Sequence, residues 1–464
     1  MFLQGADLLY QNASTVNAIE QGKMLCILGA GADVSLGLPT MNGLAKKLNI
    51  FAKGAGKPIH LALREKVKNL RFNLDKLGAD TAEQLAELVL GSDNSLVEGI
   101  KAALRNVDTS AVPSVGAMLR TLDKLEEIRL ANTLDEETAS GLAEFAGEPE
   151  ESASQCLLNP RKMVFDATPR QALLRACREA INDSAKLSPV QREAVEALFS
   201  ALATFEDLLG ALFLGYFNND RTLQKKYFYL AWLFWSYIYC CEKDGQNRYD
   251  DSCYPLITEL GASRVLTFNY TGFLRRASSD APIYFHGDGG QFMSFHNRQM
   301  IAVPDVLKGN DPVAAIARYI ESDMHVDWTA RVTEVVLPAI VPPLTMKPLI
   351  ASEYVDIWYE ASQAISECDY IVVVGYSFSF ADEHFNDLVR KKAPNKPIII
   401  FDPNYFEVAS NVCRVTGRDF DLLDPAYVSG MECLVGKRIA AGKSYAEAIS
   451  SANVSDLLNA CLSK

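Results

Sequence analysis

Lys23–Leu28, KMLCIL, runs straight into Gly29-Ala30-Gly31. A short apolar run closed by glycines reads as a strand buried on both faces that feeds a tight turn. Glycine at such a turn lets the backbone come close to a phosphate, and the helix that follows offers its N-terminal N–H groups. That helix is predicted from Thr40 through Phe51, where Gly54–Pro58 (GAGKP) breaks it. A dehydrogenase-type dinucleotide turn would place a third glycine at position 34 and an acidic residue about 20 residues on. Position 34 is Val34, and no Asp or Glu occurs between Val34 and Arg64, so that version is disfavoured.

Further along, the same signature recurs from Arg264 onward. Val265–Phe268, Ile283–Phe285 (ending at His286-Gly287), Val335–Val341, Tyr370–Val374 (ending at Gly375) and Pro397–Phe401 (ending at Asp402) are apolar runs without polar alternation. Such runs fit central parallel strands covered by helices on both faces. Between them, His60 to Gly245 is mainly helical in pattern. Thr81–Leu90 and Leu198–Leu214 repeat apolar residues at three- and four-residue spacing, and Asp135–Glu151 reads as an acidic exposed loop or helix tip. The expected fold is α/β: a Rossmann-like parallel sheet with helices on both faces, plus a large mainly helical insertion. The expected division is a sheet domain of residues 1–55 and 255–420, an insertion over 56–254, and a helical tail over 421–464.

The chain has 464 residues, which suggests two or three domain-sized units. Its net charge of −13 argues against a nucleic-acid surface, so no direct nucleic-acid partner is expected. None of the 10 Cys lies in a C-x-x-C pair, which points to reduced thiols in a cytoplasmic protein and to no metal site. Met1–Gly22 has no basic region followed by an apolar core, so no signal peptide is expected. Tyr227–Cys241 (YFYLAWLFWSYIYCC) is apolar for 15 residues, short of the roughly 20 that cross a bilayer, and reads as a buried or interface helix rather than a membrane span.

Gly29–Leu44, GAGADVSLGLPTMNGL, resembles the sirtuin signature, in which G-A-G is followed by a short loop and Gly-Ile-Pro, here Gly37-Leu38-Pro39. Its apolar-Asn-Gly-Leu tail looks like the bacterial sirtuin-like proteins rather than the histone deacylases. Thr267-Phe268-Asn269-Tyr270-Thr271 resembles the T-x-N-Y-D motif, and Ile283–Gly287 (IYFHG) resembles the strand that ends in His-Gly. Val374-Gly375-Tyr376-Ser377-Phe378, followed by Asp382, resembles the loop that holds the cofactor ribose. Phe401-Asp402-Pro403-Asn404 resembles the strand end that meets the adenosine. The likeness covers roughly residues 20–50 and 262–405. Asp33 stands where a Ser is usual, Thr271 where an Asp is usual, and the paired-Cys zinc module of the deacylases is absent.

The resemblance implies NAD as substrate, with Asn269 and His286 as catalytic residues. It implies cofactor binding by Gly29, Ala30, Gly31, Asp33, Pro39, Thr267, Gly375, Tyr376, Ser377, Asp402 and Asn404. The implied activity is NAD hydrolysis by a toxic effector of bacterial antiphage defence, held off by a separate sensor or activator of the HerA-type ATPase or Argonaute type. The alternatives are a non-catalytic NAD or ADP-ribose binding module and, disfavoured by the missing zinc module, a protein deacylase.

The chemistry asks for these residue types. The nicotinamide–ribose bond breaks through an oxocarbenium-like state, so the protein must hold the ribose, exclude bulk water and place one water molecule. An amide such as Asn269 orients water or ribose hydroxyls, and an imidazole such as His286 accepts a proton near neutral pH. Each has a plainer role: a His at a strand end is often structural, and an Asn caps turns. Asp33 suits either a helix N-cap or the nicotinamide pocket. His384 suits a surface or capping role or the ribose loop, and Lys347, in Val341–Pro348, a phosphate contact or solvent. The aromatic residues of Phe213–Cys241 form either the insertion's own core or a contact with another copy, and a homo-oligomer is expected on the second account.

Overall fold

The computed structural model describes residues 22–68, 70, 95–131, 167–182, 186–202, 221–277, 281–294, 296–330, 334–341, 352–379, 382–444 and 449–464. Thr81–Leu90, Asp135–Glu151, most of Leu198–Leu214 and the loop carrying Lys347 lie outside them. The chain forms two compact units, one of Met1–Met41, Ile50–Leu70 and Gly215–Lys464, the other of Asn42–Asn49 and Arg71–Leu214.

In chain order the elements are β1 (Met24–Leu28), α1 (Met41–Lys53), α2 (Lys57–Lys66), α3 (Ser95–Leu104), α4 (Pro113–Ala131), α5 (Ala167–Asn182), α6 (Pro189–Leu202), α7 (Arg221–Gly245) and α8 (Cys253–Glu259). Then come β2 (Arg264–Thr267), α9 (Leu274–Ala277), β3 (Ile283–Tyr284), β4 (Gln291–Ser294), β5 (Gln299–Ala302), α10 (Pro312–Arg318), β6 (Val336–Pro338), α11 (Ser352–Glu367) and β7 (Tyr370–Val374). The rest are α12 (Glu383–Lys392), β8 (Ile398–Asp402), α13 (Tyr405–Thr416), β9 (Asp424–Val428), β10 (Met431–Gly436), β11 (Ile439–Lys443) and α14 (Ser451–Leu462).

The first unit is built on an eight-stranded sheet of order β3-β2-β1-β7-β8-β11-β10-β9. The pairs from β3 to β11 are parallel, and β10 and β9 add antiparallel. This is the expected Rossmann-like α/β fold. β1, β7 and the first four residues of β8 are buried throughout, as their unalternating apolar sequences require. Leu25, Ile27, Ile371, Val373, Ile398 and Ile400 share one core with Ala361, Ile365, Phe385, Val389, Val408 and Val412 from α11, α12 and α13. The intervening Cys26, Leu28, Val372, Val374 and Ile399 are fully enclosed on the other face.

Three expectations are corrected. The tail over 421–464 holds three strands before its helix. Ala440, Ala441 and Gly442 of β11 suit a helix or a turn by local preference, but pairing with β8 in a buried sheet overrides it. Val335–Val341 gives β6, which joins a separate antiparallel sheet of order β5-β4-β6 rather than the parallel one. And α2, α7 and the start of α8, expected in the insertion of residues 56–254, belong to the unit of the large sheet. Tyr227 through Ile238 of α7 are all buried. The Trp232 and Trp235 rings each meet Phe292 of β4 edge-on at 5.0 Å, and their indole N–H groups donate to Val336 O at 2.9 Å and Gly289 O at 2.8 Å. The aromatic stretch is therefore core of its own unit, which removes the ground for a self-association surface there; Phe213, Tyr216 and Phe217 lie outside the described residues.

In the second unit α4 packs on α5, α5 on α6, and α6 on α3. Among the described residues no helix is long and apolar enough to cross a membrane.

Candidate active site

Strand register brings the motif residues together. Leu28 pairs with Thr267 on one side and Val374 on the other, Thr267 with Tyr284, and Val374 with Phe401. The carboxyl ends of β3, β2, β1, β7 and β8 thus lie level along one edge. Chain order reverses between β1 and β7, and ligands of open α/β sheets bind beyond strand ends at such a reversal. Adjacent strands lie about 4.8 Å apart, so β1 and β8 end roughly 10 Å from each other.

The glycines at this reversal touch each other. Gly31 N donates to Gly375 O at 3.0 Å, and Gly29 N to Val374 O at 3.0 Å. A Cβ on Gly31 would sit 2.6 Å from Gly375 Cα, and one on Gly29 2.4 Å from Gly375 O. Gly375 itself has φ +60°, which few other residues adopt without strain. Close approach of two turns thus demands glycine here. Ala30 and Gly31 keep partial exposure, at the start of a 3-10 turn over Ala30–Asp33. Pro39 is half-buried in the loop leading to α1.

His286 follows β3 and is only 3% exposed. Its Nε2 lies 2.9 Å from Asp382 Oδ1 and donates to that carboxylate when it carries the proton. The Asp382 carboxylate also accepts from Tyr376 Oη at 3.3 Å. Phe268 meets the imidazole edge-on at 5.1 Å, and Tyr270 lies along it at 6.0 Å. Gly287 turns the chain sharply at φ +81°, where a Cβ would strike Ala339 O.

Asn269 follows β2. Its backbone N–H donates to Thr267 Oγ1 at 3.0 Å, and its Nδ2 donates to Gly29 O at 2.9 Å, tying the ends of β1 and β2 together. Asp33, also buried, ends the 3-10 turn rather than capping a helix. Its Oδ2 accepts from Thr271 Oγ1 at 2.7 Å, and its Oδ1 accepts from the Tyr254 hydroxyl. Burial pushes the Asp33 carboxyl up to about 6, against the hydrogen bonds from Tyr254 and Thr271.

The residues at or after the ends of β7 and β8 differ. Tyr376 is buried, with its ring stacked on Phe268 at 4.0 Å, so its side chain belongs to the core. Ser377 is exposed, and its carbonyl accepts from Asn411 Nδ2 at 3.0 Å. Asp402 is half-buried, accepts from Asn404 N at 2.7 Å, and is raised by burial above the usual carboxylate range. Asn404 is exposed, and its amide donates to Glu407.

No protein-family model matches the chain, and no curated protein matches it. Among solved structures it is similar to a triple-mutant Sir2 homologue in complex with 2′-O-acetyl ADP-ribose, at 14% identity and a TM-score of 0.28, over 44% of this chain and 70% of that one. It is similar to a Sir2 homologue–NAD complex at 16% identity and a TM-score of 0.29, over 43% and 66%. It is also similar to a Sir2 protein bound to a propionylated peptide, at 20% identity and a TM-score of 0.24, over 36% and 66%. The chain thus spans about two thirds of the length of these structures.

Sequence reasoning left two partnerships unread. Asp382 follows the motif Val374–Phe378 in sequence, and its bond to His286 joins residues 96 apart. Tyr254 belongs to no motif and reaches Asp33 across 221 residues. Together the strand ends offer a paired imidazole, an amide held by Gly29 O, partly exposed backbone at Ala30 and Gly31, and the half-buried carboxylate of Asp402.

Proposed function

We propose that the chain hydrolyses NAD at the nicotinamide–ribose bond, giving nicotinamide, ADP-ribose and a proton. The observation that carries this is the enclosed His286–Asp382 pair on the same sheet edge as Asn269 and the Gly29–Gly31 turn. Asn269 would orient the water or the ribose hydroxyls. His286, with Nε2 committed to Asp382, would take the proton of the incoming water at Nδ1 as the C1′–N bond opens. Ala30, Gly31, Gly375 and Ser377 would line the phosphates and ribose, and Asp402 with Asn404 the adenosine end. Incubation of the purified protein with NAD, with chromatography of free nicotinamide and ADP-ribose, tests this directly; intact NAD after prolonged incubation refutes it.

A second reading, a non-catalytic NAD or ADP-ribose binding module, is favoured by the near-complete enclosure of His286. It predicts binding by calorimetry without nicotinamide release. Within the hydrolase reading, the role is that of a defence effector in the cytoplasm, which needs an off state supplied by assembly or by a HerA-type or Argonaute-type partner. Light scattering of the purified chain tests self-assembly.

A further inference from the structure

Asn386 of α12 is fully enclosed, yet its Oδ1 has no hydrogen-bond partner among the described residues. A buried acceptor left unpaired costs stability, and an apolar side chain of the same shape would avoid that cost. The other end of the amide is occupied. Nδ2 donates to Ser379 O at 2.9 Å and lies 3.5 Å from Phe378 O and 3.4 Å from Glu383 Oε2. All three neighbours are acceptors, so the NH₂ end must face them. The two carbonyls belong to the loop between β7 and α12, and that loop is not relaxed. Phe378 is buried at φ +52°, in the left-handed region that few residues other than glycine adopt. Its carbonyl also accepts from Arg414 Nη2 at 3.0 Å, and Ser377 O accepts from Asn411 Nδ2 at 3.0 Å. Side chains of α12 and α13 thus hold three successive carbonyls of the loop.

Ser379 O has a second donor, the backbone N–H of Asp382 at 3.2 Å. Asp382 stands at the N-cap of α12, where a carboxylate ordinarily accepts from the first turn, but it makes no such bond. Its Oδ1 lies 2.9 Å from His286 Nε2 instead. A continuous path of hydrogen bonds therefore runs from the Asn386 amide through Ser379 O and Asp382 to the imidazole. The strand ladder does not fix this meeting, because His286 follows β3 and Asp382 follows β7, with β2 and β1 between them. Tyr376 Oη also reaches the Asp382 carboxylate, at 3.3 Å, which is long for an O–H···O bond. We propose that Asn386 is a positioning residue, whose buried amide sets the Phe378 and Ser379 carbonyls and thereby holds the Asp382 carboxylate against His286.

The inference rests on the hydrolase reading for its kinetic arm only. Asn386→Leu removes the donors and keeps the shape. Phe378 O retains Arg414 and Ser379 O retains the Asp382 N–H, so the urea midpoint should change little. The kcat should fall about 10- to 100-fold with KM changed less than about threefold, the range of a misplaced rather than a missing catalytic group. Asn411→Ala frees Ser377 O in the same loop but lies off the path to Asp382, and it should leave kcat within about twofold of wild type. A second arm needs no turnover. An imidazole N–H bonded to a buried carboxylate exchanges slowly with solvent while the surrounding structure stays closed. With ¹⁵N-histidine labelling and the His286 signal assigned from His286→Ala, that N–H should exchange about tenfold faster or more in Asn386→Leu than in wild type. Wild-type kcat in Asn386→Leu would overturn the proposal, as would an unchanged His286 N–H exchange. An equal kcat loss in Asn411→Ala would assign the effect to the loop as a whole and overturn it too. If Asn386→Leu does not fold, Asn386→Ala, which leaves a gap but no clash, takes its place. A wild type that releases no nicotinamide, yet whose His286 N–H is loosened by the substitution, defeats the hydrolase reading and leaves the positioning role standing.

Discussion

Beyond β1, β2 and β3 the sheet ends in Gly29, Asn269 and His286, and the two side chains there are almost fully enclosed and hydrogen-bonded to protein. Beyond β7 and β8 the same edge ends in Ser377, Asp402 and Asn404, which meet solvent wholly or in part. The difference follows from what covers each side. Phe268 and Tyr270 lie against the imidazole, Tyr376 stacks on Phe268, and α7 and α8 bring Glu242 and Tyr254 to Asp33. Fixed dipoles and charges act strongly where water is excluded, so the enclosed wing suits bond breaking. An exposed wing suits recognition, where each contact is worth less and exchange with solvent is easy.

The sharpest way to break the comparison is His286→Ala. It should reduce nicotinamide release by about 10²–10⁴-fold, the usual loss for a general base. If turnover stays within a few-fold of wild type, the enclosed wing is structural only.

Gly375→Ala tests the seam between the wings. It forces a side chain at φ +60° and within 2.5 Å of Gly31 Cα, so a loss of about 3 kcal/mol or more in chemical denaturation is expected. Asn411→Ala, on the exposed side, should change stability by about 1 kcal/mol at most.

Asp33 gives the enclosed wing a pH signature. Its carboxyl is raised from 3.8 to about 6, so the folded form binds the proton more tightly than the unfolded chain. Folding stability from this group is complete below about 3.8 and declines as pH rises through about 6. The whole change is about 3 kcal/mol. Urea midpoints for wild type and Asp33→Asn, taken from pH 4 to 7, should diverge with the wild type falling relative to the variant. Parallel curves would remove the buried charge from the account.

The smallest effect belongs to the exposed wing. Asp402→Asn should raise KM for NAD a few-fold, or about 1 kcal/mol, with kcat unchanged. A large kcat loss would mean that the two wings do not divide binding from chemistry.

What was legible in the chain was local. β1, β2, β3, β7 and β8 announce themselves because a strand buried on both faces has no room for polar residues, and the residues that close them interrupt that pattern abruptly. Gly29, Asn269, His286, Gly375 and Asp402 stand at or just beyond those interruptions, and it was the resemblance to the sirtuin signature that marked them as candidate site residues. The long helix α7 was legible as buried, because an apolar stretch without a polar face needs cover on all sides.

Only the tertiary structure decided which neighbours these elements have. The cover for α7 comes from α2, α10 and the small antiparallel sheet of its own unit, and Val336–Pro338 joins that sheet, because apolar periodicity says that a segment is enclosed and not by what. β9, β10 and β11 arise from pairing beside β8, a non-local gain that outweighs the helical preference of alanine. The bonds of His286 to Asp382 and of Asp33 to Tyr254 join residues far apart in sequence, since a buried polar group takes its partner wherever packing brings one within reach.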